Sequence, residues 1–251
     1  MKLKAKINGK WVELFSSDST DNDSTNTGSS SNTPTTDTLK YGDSINKPFE
    51  FEGKKIIWYG DSITSGVKSG TATGDGYAKI FCDKVGATLT NRAVSGAKTI
   101  SSETQPGLSV YSLMESHTGF TADYIFIATG TNDYANNVPI GAYGDDDTTN
   151  FYGALKGICE MLKTKAPNIP VVFITPINRT KYVSNPSSLD DYRNAIYEVA
   201  TTYGHSVVDG SSLGLPSVSG SAWATFMNAD GIHPTADGHK LYARSLCGKL
   251  L

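Results

Sequence analysis

The sequence predicts an α/β fold: a flavodoxin-like three-layer α/β/α sandwich on a five-stranded parallel sheet, with a short N-terminal β-hairpin on a flexible linker. Three observations predict it. Short apolar, β-prone runs alternate with helix-like segments from about Leu39 onward, and strands joined by helical crossovers pair in parallel with helices on both faces. Many of the 25 glycines fall just after those runs, where tight turns or close backbone approach to a ligand are needed. A stretch made only of Ser, Thr, Asp, Asn, Gly and Pro, Ser16–Thr38, separates this region from the hairpin.

Residues 1–15 form the hairpin segment, alternating around Asn8-Gly9, with Leu3, Ala5 and Ile7 on one arm and Val12 and Leu14 on the other. So short a hairpin is marginal in water and needs a partner surface, on another chain or on the main domain. Residues 16–38 offer nothing to offset the entropy of ordering, so they read as a disordered tether with a mean span of roughly 25 Å. Residues 39–251 form the main domain. Its first strand is Ile56-Ile57-Trp58-Tyr59, an uninterrupted apolar run expected of a strand buried on both faces. A helix over Gly76–Val85 carries Tyr77, Ile80 and Phe81 on one stripe, and Ala87–Arg92 is the second strand. A weakly helical segment near Leu108–Glu115 precedes the third strand, Tyr124–Ala128. Phe151–Lys165 is amphipathic, with Phe151, Leu155, Ile158 and Leu162 on one face. Val171–Thr175 is the fourth strand. Ser188–Tyr203 is a helix with a Ser N-cap and Asp190 and Asp191 in its first turn, Ser206–Val208 a short fifth strand, and Thr235–Leu250 the closing helix.

Bulk composition excludes several classes. A net charge of −3 gives no attraction to nucleic acid, and no stretch approaches the length of a membrane span. The basic N-terminus lacks the apolar run of a signal peptide, which leaves a cytoplasmic or particle-associated location, a phage virion included. Cys82, Cys159 and Cys247 lie far apart and lack metal spacing, so they read as reduced, packed thiols. The cluster Asp18, Asp21, Asp23 lacks the glycine and distal glutamate of a calcium loop. No metal or cofactor is expected.

Four blocks carry the chemistry: Gly60-Asp61-Ser62-Ile63-Thr64, Ala93-Val94-Ser95-Gly96-Ala97, Gly130-Thr131-Asn132-Asp133 and Asp230-Gly231-Ile232-His233-Pro234. The first three follow strands one, two and three, so they converge on the C-terminal edge of the sheet, where open α/β proteins place ligands. Acyl transfer needs a nucleophile, a base, an orienter for the base and donors for the oxyanion. Ser62 is the candidate nucleophile, His233 the base and Asp230 its orienter. The N–H groups of Ser62 and Gly96 and the Asn132 amide are candidate oxyanion donors. The pentapeptide Tyr-Gly-Asp-Ser-Ile also occurs at Tyr41–Ile45, but no strand precedes that copy, so it reads as a chance turn.

In these four blocks the chain resembles the SGNH (GDSL) hydrolases, over about four-fifths of its length. Ile63 stands where the family's motif has Leu, a conservative change. The resemblance implies an esterase-like hydrolase working through an acyl-enzyme without metal. The family spans lipases, thioesterases, lysophospholipases and carbohydrate acetylesterases, so substrate does not follow from it.

Each residue also has a plainer reading. Gly-Asp-Ser alone is a turn, Thr-Asn-Asp is ordinary helix-cap chemistry, and Asp230 with His233 could be a locally bonded loop. His117, His205 and His239 read as structural, and Asp145-Asp146-Asp147 as a solvated loop. Trp223, Phe226 and Met227 are either core or acyl-pocket wall. The loop Asn178–Ser187, with Arg179, Lys181 and Tyr182, is read as facing the alcohol side of the substrate. The expectation is a serine esterase for short-acyl esters, with O-acetyl groups on carbohydrate preferred because long apolar stretches are absent. Two alternatives stand beside it: a lysophospholipase or thioesterase, and a non-catalytic glycan-binding attachment module of a phage or cell-surface assembly, docked to a protein partner by the hairpin.

Overall fold

The computed structural model describes residues 49–68, 71–72, 75–181, 183–217 and 220–251, together with two N-terminal strands. Those strands, β1 (Leu3–Ile7) and β2 (Lys10–Phe15), pair antiparallel with Ala5 opposite Val12 and Lys6 opposite Trp11. The Asn8-Gly9 turn, the 16–38 linker, the Asp18–Asp23 cluster and the Tyr41–Ile45 pentapeptide lie outside the described residues. The chain divides into two units, Met1–Asn46 and Lys47–Leu251.

The second unit is built on β3 (Lys55–Gly60), β6 (Thr88–Asn91), β7 (Tyr124–Ala128), β8 (Val171–Ile174) and β9 (Ser206–Val208), in the order β6-β3-β7-β8-β9, all parallel. A minimal hairpin, β4 (Val67–Lys68) with β5 (Thr71–Ala72), stands apart from that sheet. The helices are α1 (Ser62–Ser65), α2 (Tyr77–Val85), α3 (Val110–Glu115), α4 (Thr131–Ala135), α5 (Phe151–Lys165), α6 (Leu189–Thr202), α7 (Ser221–Phe226) and α8 (Ala236–Leu250). The expected flavodoxin-like sandwich is the fold observed.

Alternation along each central strand divides the core in two, because successive side chains point to opposite faces. Ile56, Trp58, Phe126, Val172 and Ile174 pack with Tyr77, Phe81, Tyr242 and Leu246 of α2 and α8. Ile57, Tyr59, Ile125, Ile127 and Phe173 pack with Val110, Phe151, Ile158, Tyr192 and Ile196 of α3, α5 and α6. β3, β7 and β8 are buried on both faces, as their continuous apolar runs require. β6 is an edge strand and correspondingly polar.

Register sets the level of the site. Gly60 pairs with Ala128, Ala128 with Ile174, and Ile174 with Val208, so the strands deliver their following loops at one height. The three cysteines are free and buried. Trp223 and Met227 are buried in the α2/α8 core and Phe226 packs against it, which decides between the two readings of that trio in favour of core.

Candidate active site

Gly60 permits the turn that launches Ser62. A Cβ there would stand 2.5 Å from Thr64 Oγ1 and 2.8 Å from the Ala128 carbonyl oxygen, so only glycine lets α1 fold back onto the strand end. Asp61 caps that helix, accepting from Ile63 N–H at 2.9 Å. Burial pushes its carboxyl up to about 6, against the lowering effects of the Ile63 N–H and of the charge of His233. Ser62 is thereby presented at the first helical position.

The partner arrives from the other end of the sequence. Ser62 Oγ lies 2.8 Å from His233 Nε2, and His233 Nδ1 lies 2.7 Å from Asp230 Oδ2. Asp230 Oδ1 also accepts the backbone N–H groups of Ile232 and His233, at 2.8 and 3.0 Å. The Asp230–His233 turn is thus folded around one carboxylate. Burial opposes ionisation of Asp230, but the N–H and ring hydrogen bonds of His233 and the Ile232 N–H outweigh it, and the carboxyl sits below its ordinary value. Asp230 and His233 need only two residues of chain between them because the turn supplies its own hydrogen bonds.

The second and third blocks interlock. Val94 N–H donates to the Gly60 carbonyl, and Ala97 N–H to the Val94 carbonyl, closing a turn with Gly96 at φ +83°. Gly96 is exposed, and no atom stands within 4 Å of where its Cβ would be. Asn132 Nδ2 donates to the Ala97 carbonyl at 2.9 Å, and its amide carries a second N–H. Asn132 and Asp133 do not cap α4; Gly130, at φ +103°, holds the cap position without a side-chain bond.

Asp133 has another role. It is fully buried and accepts Thr99 N–H with both oxygens, at 2.8 and 3.0 Å, and Thr99 Oγ1–H at 2.9 Å. Burial pushes its carboxyl up to about 6 despite those donors. Adjacent side chains, Asn132 and Asp133, therefore grip the 97–99 segment from one short helix. The sequence places Asp133 in the third block, with helix capping as its plainer reading, and does not reveal the Thr99 contact.

Arg179 also departs from expectation. Rather than facing substrate it is 2% exposed, donating from Nε to the Lys181 carbonyl at 2.7 Å and from Nη1 to the Thr131 carbonyl at 3.2 Å. Lys181 is exposed, and Tyr182 lies outside the described residues. The remaining histidines are structural. His239 is buried and accepts Tyr77 N–H through Nδ1, His117 Nδ1 contacts the Tyr59 hydroxyl, and His205 packs near Phe173. Among the described residues no three or more of His, Cys, Asp and Glu gather as a metal site, and no helix is long and apolar enough to cross a membrane.

The family model for the GDSL-like lipase/acylhydrolase family matches residues 58–241. No curated protein matches the chain. Among solved structures, a protein from Lactobacillus plantarum is 29% identical with a TM-score of 0.70, over 79% of this chain and 97% of that one. LAE5, an alpha/beta hydrolase enzyme from the metagenome of Lake Arreo, is 20% identical with a TM-score of 0.55, over 80% of this chain and 98% of that one. Axe2, an acetylxylan esterase from Geobacillus stearothermophilus, is 17% identical with a TM-score of 0.53, over 80% of this chain and 95% of that one. The last two likenesses concern the fold.

Proposed function

The chain belongs to the GDSL-like lipase/acylhydrolase family, and on that premise we propose that it is a serine esterase hydrolysing short-acyl esters, chiefly O-acetyl groups on carbohydrate. The observation that carries this reading is the unbroken contact series from Ser62 Oγ through His233 to Asp230, at 2.8 and 2.7 Å. Ser62 Oγ attacks the ester carbonyl as His233 Nε2 takes its proton, and Asp230 holds the imidazole and balances its charge. The N–H groups of Ser62 and Gly96 and the second N–H of Asn132 receive the oxyanion. Collapse breaks the ester C–O bond, and His233 returns the proton to the leaving alcohol. Water then attacks the acyl-enzyme with the same base, releasing the acid and restoring Ser62.

The preference for a short acyl group rests on packing. Trp223 and Met227, a few residues before Asp230, are buried in the core, which withdraws those two large apolar side chains from walling a long-chain site. The test is hydrolysis of p-nitrophenyl esters of increasing acyl length, followed by a panel of acetylated glycans. Ser62→Ala should abolish turnover of all of them. Rising kcat/KM with chain length would favour a lipolytic enzyme, and binding of glycan without turnover would favour an attachment module.

A further inference from the structure

Two halves of this site come from chain segments about a hundred residues apart, and one buried side chain joins them. Arg179 Nη1 donates to the carbonyl of Thr131, the residue before Asn132, and Arg179 Nε donates to the carbonyl of Lys181. The N–H groups of Thr180 and Lys181 in turn donate to the carbonyl of Gly231, at 3.0 and 3.3 Å, inside the Asp230–His233 turn. Gly231 has φ +72°, and a Cβ on it would meet Thr180 Oγ1 at 2.6 Å, so the two loops are in direct backbone contact. The Arg179 guanidinium also lies over the Tyr134 ring of α4, 5.3 Å from its centroid.

From this we infer that Arg179 is a positioning residue, setting the distance between the oxyanion donor Asn132 and the Asp230–His233 turn. The inference rests on the proposed roles of those residues. Burying a guanidinium is costly unless its donors are met, so its place in the interior points to geometry that a neutral side chain cannot supply. A planar fork can reach two carbonyls in different directions while lying flat on a ring; an ammonium on a flexible stem cannot hold all three contacts. Acyl transfer is sensitive to such spacing, since about 1 Å of misplacement far from the reacting atoms can lower rate about 10²-fold.

The experiment compares Arg179→Ala and Arg179→Lys with the unaltered full chain, using p-nitrophenyl acetate kinetics, thermal melting, and labelling of Ser62 by a fluorophosphonate. Folded Arg179→Ala should lose about 10²-fold in kcat with KM changed only a few-fold. Arg179→Lys should not recover it, and millimolar guanidinium ion should restore part of the kcat of Arg179→Ala. Wild-type kcat in either folded variant, or a loss confined to KM, overturns the inference. Failure of both variants to fold, with no recovery by guanidinium, makes Arg179 a stability residue and overturns it too. Absence of fluorophosphonate labelling at Ser62 in the unaltered chain instead defeats the esterase reading, which separates the two failures.

Discussion

At the residue scale, the proposed mechanism gives the Asn132 amide a second task beside the bond it already makes. Its Nδ2 already holds the Ala97 carbonyl, so the N–H left over is fixed in direction before any substrate arrives. Asn132→Ala should therefore lower kcat by about 10²–10³-fold, roughly 3–4 kcal/mol, with KM changed far less. Asn132→Asp should fold and be nearly inactive, because a carboxylate repels both the Ala97 carbonyl and the oxyanion; full activity in that variant would remove Asn132 from the mechanism. Asp133 carries a pH signature of its own. Its folded pKa is raised from 3.8 to about 6 by burial, so the protonated form is the one the fold favours. Stability from this group is fully present below the unfolded value and is lost as pH rises through the folded one. The stability of the wild type relative to Asp133→Asn should thus fall between about pH 4 and pH 6.5, by a few kcal/mol in order of magnitude. Urea unfolding of both proteins across that range measures it, and a difference that moves the other way would show that the Thr99 donors outweigh burial.

At the scale of elements, the helices divide by how they start. α6 begins with a capping box, Ser188 Oγ accepting Asp191 N–H and Asp191 Oδ2 accepting Ser188 N–H, a pattern visible as Ser-Leu-Asp-Asp before an apolar stripe. α5 and α8 start from Asn150 and Thr235 in the same readable way. The short helices that carry the site were not legible. α1 and α4 span four and five residues, too few for an apolar stripe to repeat, and α4 is capped by a glycine. Two substitutions contrast the classes. Ser188→Ala should cost about 1 kcal/mol of stability with kcat unchanged, since α6 supplies no site residue. Gly60→Ala should lower both stability and kcat, because its Cβ pushes on Thr64 within the helix that begins with Ser62. Circular dichroism melting alongside ester hydrolysis separates them; equal activity in both variants would mean that α1 tolerates displacement.

At the scale of the whole molecule, the contacts described around the site lie between residues 60 and 235. Removing residues 1–38 should accordingly leave kcat and melting temperature nearly unchanged, and a marked fall in either would show that the N-terminal segment supports the catalytic unit. The sequence by itself determined the parallel sheet, the order of its longer helices and the four blocks of the candidate site. These follow from short-range rules: apolar runs, helical periodicity, cap residues, and an Asp-x-x-His turn whose hydrogen bonds close within three residues. Only the tertiary structure decided which polar residues turn inward. Whether Asp133 caps a helix or grips Thr99, whether Arg179 meets substrate or backbone, and whether Trp223 lines a pocket or fills a core all depend on partners far away in the chain. Burial and its electrostatic consequences are sums over such partners, and a local pattern of residue types does not contain them.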